Sequence, residues 1–288
     1  MIRHIPACAL FVLAACVQPS KEAPPSVAAA APAQIALERV WVAEGLADPE
    51  SAALSADGAF LYVSNVAGEG EAKDGVGFIA RVGVDGRLLQ RDFVTGLNAP
   101  KGLVRLGDKL FVSDIDVIVR IDAASGRIEQ RFPAPGARFL NDVALAPDGR
   151  IFATDSDAGR IYALRDGAVS VWIEDPLLAA ANGLLPEPDR LFVATMAGRL
   201  LAIDYATRAI ETRAEGLGDA DGVVRVGDDF LISEWPGLLH QVRADGSKTT
   251  LLDAKSAQIF QNDILLVGDM LYIPNWRPGT LTAYRVRR

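Results

Sequence analysis

Short apolar runs and polar turns alternate along most of this chain, and the alternation returns as a phrase. The copies read PESAALSADGAFLYVSN from Pro49, PKGLVRLGDKLFVSD from Pro100 and LNDVALAPDGRIFATD from Leu140. They continue as ANGLLPEPDRLFVAT from Ala181, ADGVVRVGDDFLISE from Ala220 and QNDILLVGDMLYIPN from Gln261. In the third copy an apolar strand, Val143 to Ala146, turns at Pro147-Asp148-Gly149 into a second strand, Ile151 to Asp155. A third strand, Arg160 to Leu164, turns at Asp166-Gly167 into a fourth, Ala168 to Ile173. Asp-Gly between apolar runs favours a tight hairpin, because both residues tolerate the left-handed backbone such turns need. Self-similar units of about forty residues, four strands each, predict an all-β fold: a six-bladed β-propeller of four-stranded antiparallel blades.

The ends of the chain predict how the ring closes. The sixth copy supplies strands at Ile264 to Val267, Leu271 to Pro274 and Leu281 to Val286, and lacks a fourth. Glu38 to Glu44 (ERVWVAE) is an alternating strand with no partner of its own. It is expected to complete blade six and remove an exposed sheet edge.

One position in the phrase stays polar: Glu50, Lys101, Asn141, Asn182, Asp221 and Asn262. Each opens an innermost strand, so the six are expected to face a central channel. Carboxylate and amide oxygens suit a hard divalent cation such as Ca²⁺. Glu50, Asn182 and Asp221 can supply them, with Asn141 as a fourth ligand or a substrate-binding group. Without a cation, two carboxylates in a narrow channel repel, and one is held protonated. Lys101 stands next to Glu50 in the ring. It either pairs with Glu50 in place of a metal or binds a substrate carboxylate or hydroxyl.

The first interval is longer by about ten residues than the others, and the excess is a glycine-rich loop, Asn65 to Gly77. That loop, Trp235 and Trp276 are expected at the channel mouth, with Asn262 completing the substrate-binding set. The loop also reads as a tolerated surface insertion, and the tryptophans as packing between blades. Asp142 and Asp263 are expected to turn into the sheet layer and bond to backbone. His240, on a third strand, reads as structural.

Composition narrows the partners. The 288 residues are 50% hydrophobic, enough for one large core, and carry a formal net charge of −8. That balance gives no support for nucleic-acid binding. The two cysteines, Cys8 and Cys16, both lie at the N-terminus, so the propeller has no disulfide framework and no thiol chemistry. Residues 1–15 read as a lipoprotein signal peptide: Ala7 to Ala15 is apolar and too short to span a bilayer. Leu13-Ala14-Ala15-Cys16 resembles the bacterial lipobox, which implies lipidation of Cys16. Residues 16–36, rich in Pro and Ala, read as a tether, and 37–288 as the propeller. The expected location is the bacterial cell envelope on the periplasmic side, with membrane contact through the lipid anchor only.

The matched positions carry a family resemblance over about residues 38–288. Pro49-Glu50, Asn141-Asp142, Asn182-Gly183 and Asp221-Gly222 fall in the blade order of the gluconolactonase/regucalcin family of six-bladed propellers. More distantly the chain is similar to diisopropyl-fluorophosphatases and paraoxonases. The resemblance implies one divalent cation, Ca²⁺ foremost, on Glu50, Asn182 and Asp221, and hydrolysis of a small-molecule lactone or related ester. It gives Asp221 the general-base or nucleophile role. The paraoxonase-like histidine pair is absent. The alternative reading is a non-catalytic, lipid-anchored propeller that binds a ligand or envelope partner, with Lys101 pairing Glu50.

Overall fold

The computed structural model describes residues 1–2 and 34–288. The signal segment, Cys16 and nearly all of the tether lie outside the described residues. The propeller unit runs Gln34–Arg288. Among the described residues no helix is long and apolar enough to cross a membrane.

Six antiparallel sheets form the blades. Blade one holds Pro49–Leu54, Phe60–Asn65, Gly77–Gly83 and Leu88–Leu97; blade three holds Leu140–Leu145, Ile151–Asp155, Arg160–Arg165 and Ala168–Glu174. The first strands of successive blades touch one another around the ring, and that of blade one reaches blade six. They are therefore the innermost strands, as the phrase predicts.

The core is divided among the seams. Six apolar clusters fill the six gaps between neighbouring blades. Between blades three and four, Phe152, Leu191, Val193 and Leu201 are fully buried, and Trp172 packs on Phe152 with ring centroids 4.6 Å apart. Burial of each such side chain is worth about 1.5–3 kcal/mol. A blade cannot bury both faces alone, so stability resides in the closed ring.

Closure follows the expected route. Ala36–Ala43 pairs antiparallel with Thr280–Arg287, from Ala36 opposite Arg287 to Ala43 opposite Leu281, with an irregularity at Val40. Leu37 then packs into the seam between blades five and six, and Trp41 into that between six and one. Blade six departs from expectation at its inner edge. The predicted strand Ile264 to Val267 is present as Leu265–Val267, a separate short strand Phe260–Gln261 precedes it, and the break between them spans Asn262 to Ile264.

The same disturbance recurs in the other blades. In blade one Pro49 pairs with Asn65, yet Ala52 pairs with Val63, so the inner strand carries one extra residue. Blades two to five show an equivalent shift between Pro100 and Leu103, Leu140 and Val143, Ala181 and Leu184, and Ala220 and Val223. A bulge frees residues from the ladder and re-aims their side chains. Here it frees the polar-column residue and the residue after it.

Candidate functional site

All six column residues line one cavity of about 490 Å³ at the mouth of the channel, and Trp235 and Trp276 line it too. Glu50, Lys101, Asn141, Asn182, Asp221 and Asn262 are each less than a tenth exposed. The sequence spacing therefore brings together every residue expected at the site.

The bulges hold the column in place. Freed backbone N–H groups find hydroxyls on the second strand: Ser51 N donates to Ser64 Oγ (3.0 Å), Asp142 N to Thr154 Oγ1 (2.9 Å) and Gly222 N to Ser233 Oγ (2.8 Å). Ser64 Oγ donates onward to the Lys101 carbonyl of the next blade at 2.6 Å, and Ser113 Oγ donates to that of Asn141. Blades one and two thus each fix the column residue of the next blade. The inner strands approach so closely that only glycine fits at three followers, and a Cβ on Gly102 would lie 2.4 Å from Val143 N. A Cβ on Gly183 would lie 2.1 Å from the Asp221 carbonyl, and one on Gly222 would lie 2.4 Å from Ile264 N.

Where the follower is acidic, it bonds to backbone as expected, though a bulge rather than simple alternation places it. Asp142 accepts from Val143 N (2.7 Å) and from Leu184 N of blade four (2.6 Å). Asp263 accepts from Ile264 N (2.7 Å) and from Ser51 Oγ of blade one (2.6 Å). These two carboxylates cross-link blades.

The column acids differ. Among the described residues no hydrogen bond reaches the carboxylate of Glu50 or Asp221, and burial pushes both well above the usual carboxylate range. Repulsion adds to it: Asp221 and Asp263 act on Glu50, and Asp263 acts on Asp221. Asp142 is raised by burial and then by Asp263, while Asp263 itself is pushed up to about 6 by burial. The amides add more acceptors. Asn141 Nδ2 donates to Ser156 Oγ at 3.2 Å, leaving Oδ1 buried with no partner. Asn182 Oδ1 is also buried and unpartnered, whereas Asn262 Nδ2 donates to the Pro49 carbonyl at 3.0 Å.

Lys101 is not where the pairing alternative puts it. Its Nζ donates to the Gly70 carbonyl at 2.8 Å and lies 4.3 Å from the centre of the Phe139 ring, with no ion pair to Glu50. The glycine-rich loop intervenes: its Gly70 reaches over the cavity and takes the ammonium. Burial lowers the Lys101 pKa, opposed by Glu50, Asp114 and Glu71. The loop therefore rims the mouth rather than being a bystander insertion.

Unpartnered acceptor oxygens from Glu50, Asn141, Asn182 and Asp221 around one cavity fit a hard divalent cation. Two of them are carboxylates. Among the described residues no three His, Cys, Asp or Glu side chains gather as a metal site by themselves. Any cation here must rely on the amides.

Two features escaped the sequence reading. The residue closing the second strand and its successor form a further repeat: Val66, Ile115, Ser156, Met196, Trp235 and Trp276 each follow a polar strand end. Met196, Trp235 and Trp276 line the cavity, Ser156 orients Asn141, and Val66 and Ile115 pack under Trp276. The tryptophans thus both line and pack, their ring centroids 6.4 Å apart at 83°. Phe139 and Asp219, two residues before a column position, also reach the cavity. His240 stays outside it, buried between Glu234 Oε2 (2.7 Å) and Thr250 Oγ1 (3.1 Å).

The chain is similar to solved six-bladed propellers. A streptogramin B lyase matches 88% of this chain and 98% of its own at 13% identity, with a TM-score of 0.63. A catalytically inactive virginiamycin B lyase from Staphylococcus aureus with quinupristin matches 88% and 99% at 13% identity, TM-score 0.61. The selenomethionine form of virginiamycin B lyase from Staphylococcus aureus covers the same shares at 14% identity, TM-score 0.59. No protein-family model and no curated protein matches the chain. At these identities the likeness shows the fold. The gluconolactonase resemblance rests on the four matched column positions alone.

Proposed function

We propose that the central cavity is the active site of a hydrolase acting on a lactone or related ester, working with one divalent cation, Ca²⁺ foremost. Glu50, Asn182 and Asp221 would hold the cation, with the free oxygen of Asn141 beside them. The observation that carries this reading is the set of buried acceptors with no donor: two carboxylates and two amide oxygens facing one cavity. Such groups are costly to bury unpaired, and a cation would offset the cost.

When bound, the cation would polarise the ester carbonyl and stabilise negative charge on its oxygen. The chain's own groups then divide the work. Asp221 accepts the proton of an attacking water as the new C–O bond forms, then returns it to the leaving alkoxide as the ring C–O bond breaks, giving an alcohol and a carboxylic acid that ionises in water. Lys101 donates to a carboxylate or hydroxyl of the substrate, exchanging the Gly70 carbonyl for it. Asn141 has committed its amide nitrogen to Ser156, so its free atom is an acceptor. That suits a cation ligand better than an oxyanion donor. Trp235, Trp276 and Phe139 exclude water and orient the ring.

A lyase acting in the same cavity is the second reading, because the solved neighbours are lyases. One of them is inactivated by a histidine-to-alanine change, and among the described residues no histidine lines this cavity. Turnover of a lactone panel in heavy-oxygen water separates the two. Hydrolysis places the label in the product carboxylate, whereas elimination yields an unlabelled alkene. Lipid anchoring at Cys16 in the bacterial envelope completes the proposal, and membrane fractionation of Cys16→Ser tests it.

A further inference from the structure

The seam between blades one and two and the seam between blades four and five match position by position. Each ends, away from the channel mouth, at an arginine four residues after a column residue: Arg105 after Lys101 and Arg225 after Asp221. Each donates through Nη1 to its own turn, Arg105 to the Gly107 carbonyl (2.6 Å) and Arg225 to that of Asp228 (3.3 Å). Arg225 is then neutralised from the preceding blade. Glu187 Oε1 accepts from its Nε at 2.8 Å and lies 2.7 Å from Nη2. Glu187 stands five residues after the column residue Asn182, and the residue five after Glu50 is Ser55. Arg105 therefore meets no carboxylate, and its Nε donates to the Leu54 carbonyl at 3.0 Å instead.

The same seam carries a second arginine. Arg81 stands opposite Tyr62 in blade one, where blade four has Ala202 opposite Phe192. Arg81 Nη2 donates to the Ala123 and Ala124 carbonyls (2.9 and 3.0 Å), and its guanidinium lies 3.5 Å from the centre of the Phe93 ring. Its Nε is buried with no partner. Among the described residues neither Arg81 nor Arg105 forms an ion pair, and Arg81 Nη1 and Arg105 Nη2 have no acceptor. Both arginines line one pocket of about 380 Å³ with Phe60 and Tyr62, and it shares no residue with the channel cavity. Asp57 and Asp108 line it too. Asp57 Oδ1 already accepts from Ser55 Oγ (2.7 Å) and Ala59 N (3.1 Å), and Asp108 pairs with Lys109 at 3.3 Å. Asp189 and Asp228 hold the equivalent positions beside the Arg225–Glu187 pair, so acids there do not bar a carboxylate from the arginine.

We propose that this pocket is a second ligand site, which takes a small organic carboxylate between Arg81 and Arg105. The ligand's carboxylate fills the role that the Glu187 side chain fills in the other seam. It accepts from Arg105 Nη2 and Arg81 Nη1, and charge-assisted bonds of this kind are among the strong ones. Phe60 and Tyr62 receive the carbon skeleton. The chain itself supplies the precedent, since the fold already sets a carboxylate on the equivalent arginine. At these positions the seam between blades one and two has one carboxylate fewer and one guanidinium more, and the ligand makes up the difference. The site stands apart from the channel and does not depend on the hydrolase reading.

The test is a calorimetric titration of the purified protein with sodium benzoate in a chloride buffer. Benzoate is expected to bind with a Kd of about 1 mM, and Arg81→Ala, which installs the blade-four pattern, to weaken it about tenfold or more. Ser55→Glu is expected to abolish binding, because it sets the chain's own carboxylate against Arg105. Lys101→Met is expected to leave the benzoate Kd unchanged, because the ammonium of the channel takes no part. Absence of saturable binding to the wild-type protein overturns the site. So does an unchanged Kd in Arg81→Ala, which decides alone should Ser55→Glu not fold. Loss of binding in Lys101→Met would move the anion to the channel and overturn the pocket. Inorganic phosphate that binds more tightly than benzoate would overturn the carboxylate assignment.

Discussion

The seams between blades and the channel at their centre are built on opposite principles. In the seam between blades three and four, Phe152, Leu191 and Val193 are fully buried among apolar neighbours, and the unpartnered polar atom there, Tyr205 Oη, is a neutral hydroxyl. In the channel, Glu50 and Asp221 are nearly as deeply buried yet receive no hydrogen bond among the described residues. Asp142 and Asp263, one residue along the same inner strands as column positions, show that the fold can satisfy an acid here: each holds two donors. The difference locates function. Stability is gathered in the seams and at the followers, and the column is left unsatisfied for something that is not protein.

That contrast can be broken most severely at the seams. Deleting residues 34–43 removes the outer strand of blade six together with Leu37 and Trp41, which fill two seams. Loss of cooperative thermal melting is expected, and a truncated protein that melts like the intact one would contradict closure of the ring. The channel should respond in the other direction. Asp221→Asn removes the proposed base and one repelling carboxyl together. Activity is expected to fall by roughly 10²–10⁴-fold, while the metal-free protein gains about 1–2 kcal/mol in denaturant unfolding. A metal-free loss of stability instead would place Asp221 among the structural acids.

The pH dependence sharpens the same point. Asp263 is raised to about 6, and Glu50, Asp142 and Asp221 are raised well above their ordinary range. The folded state therefore binds more protons than the unfolded chain above the ordinary carboxylate range, near pH 4. Stability of the metal-free protein should fall as pH rises from about 4 through 6 and beyond, the reverse of ordinary acid denaturation. Melting curves in chelator across that window check it, and added Ca²⁺ should flatten the decline. Lys101→Met makes the smallest difference to the fold. Its ammonium bonds only backbone carbonyls, at 2.8 Å to Gly70 and 3.5 Å to Ala99. The variant should keep any Ca²⁺ response and raise KM for a polar lactone by roughly tenfold with kcat little changed. A variant that loses Ca²⁺ binding would return Lys101 to the charge balance of the ring.

The period and the polar column were legible because both are properties of position along one strand. Glu50 through Asn262 recur at one place in the repeated phrase, and the sixth copy lacks a fourth strand that the N-terminal segment supplies. What was not legible depends on neighbours far apart in the chain. The bulge that aims Glu50 and Ser51 is held by Ser64 and by the approach of blade two, and the glycine at 183 is explained only by the Asp221 carbonyl beside it. The contact of Lys101 was left open between Glu50 and substrate for the same reason: ring order places Glu50 next to it, but a loop folded over the mouth supplies a nearer carbonyl. Met196 and Ser156 belong to a second column that the sequence does contain, one residue beyond each second strand.

The central claim is that the unpartnered oxygens of the column hold a divalent cation, and calcium-dependent melting of the wild-type protein tests it most directly. Protein freed of metal by chelator and dialysis is titrated with CaCl₂ while its melting temperature is followed, alongside elemental analysis of the protein as purified. The account predicts a saturable rise, worth about 2.7 kcal/mol at a hundredfold excess over the dissociation constant, that disappears in Asp221→Asn. No metal in the purified protein and a melting temperature indifferent to calcium, magnesium and manganese alike would contradict it.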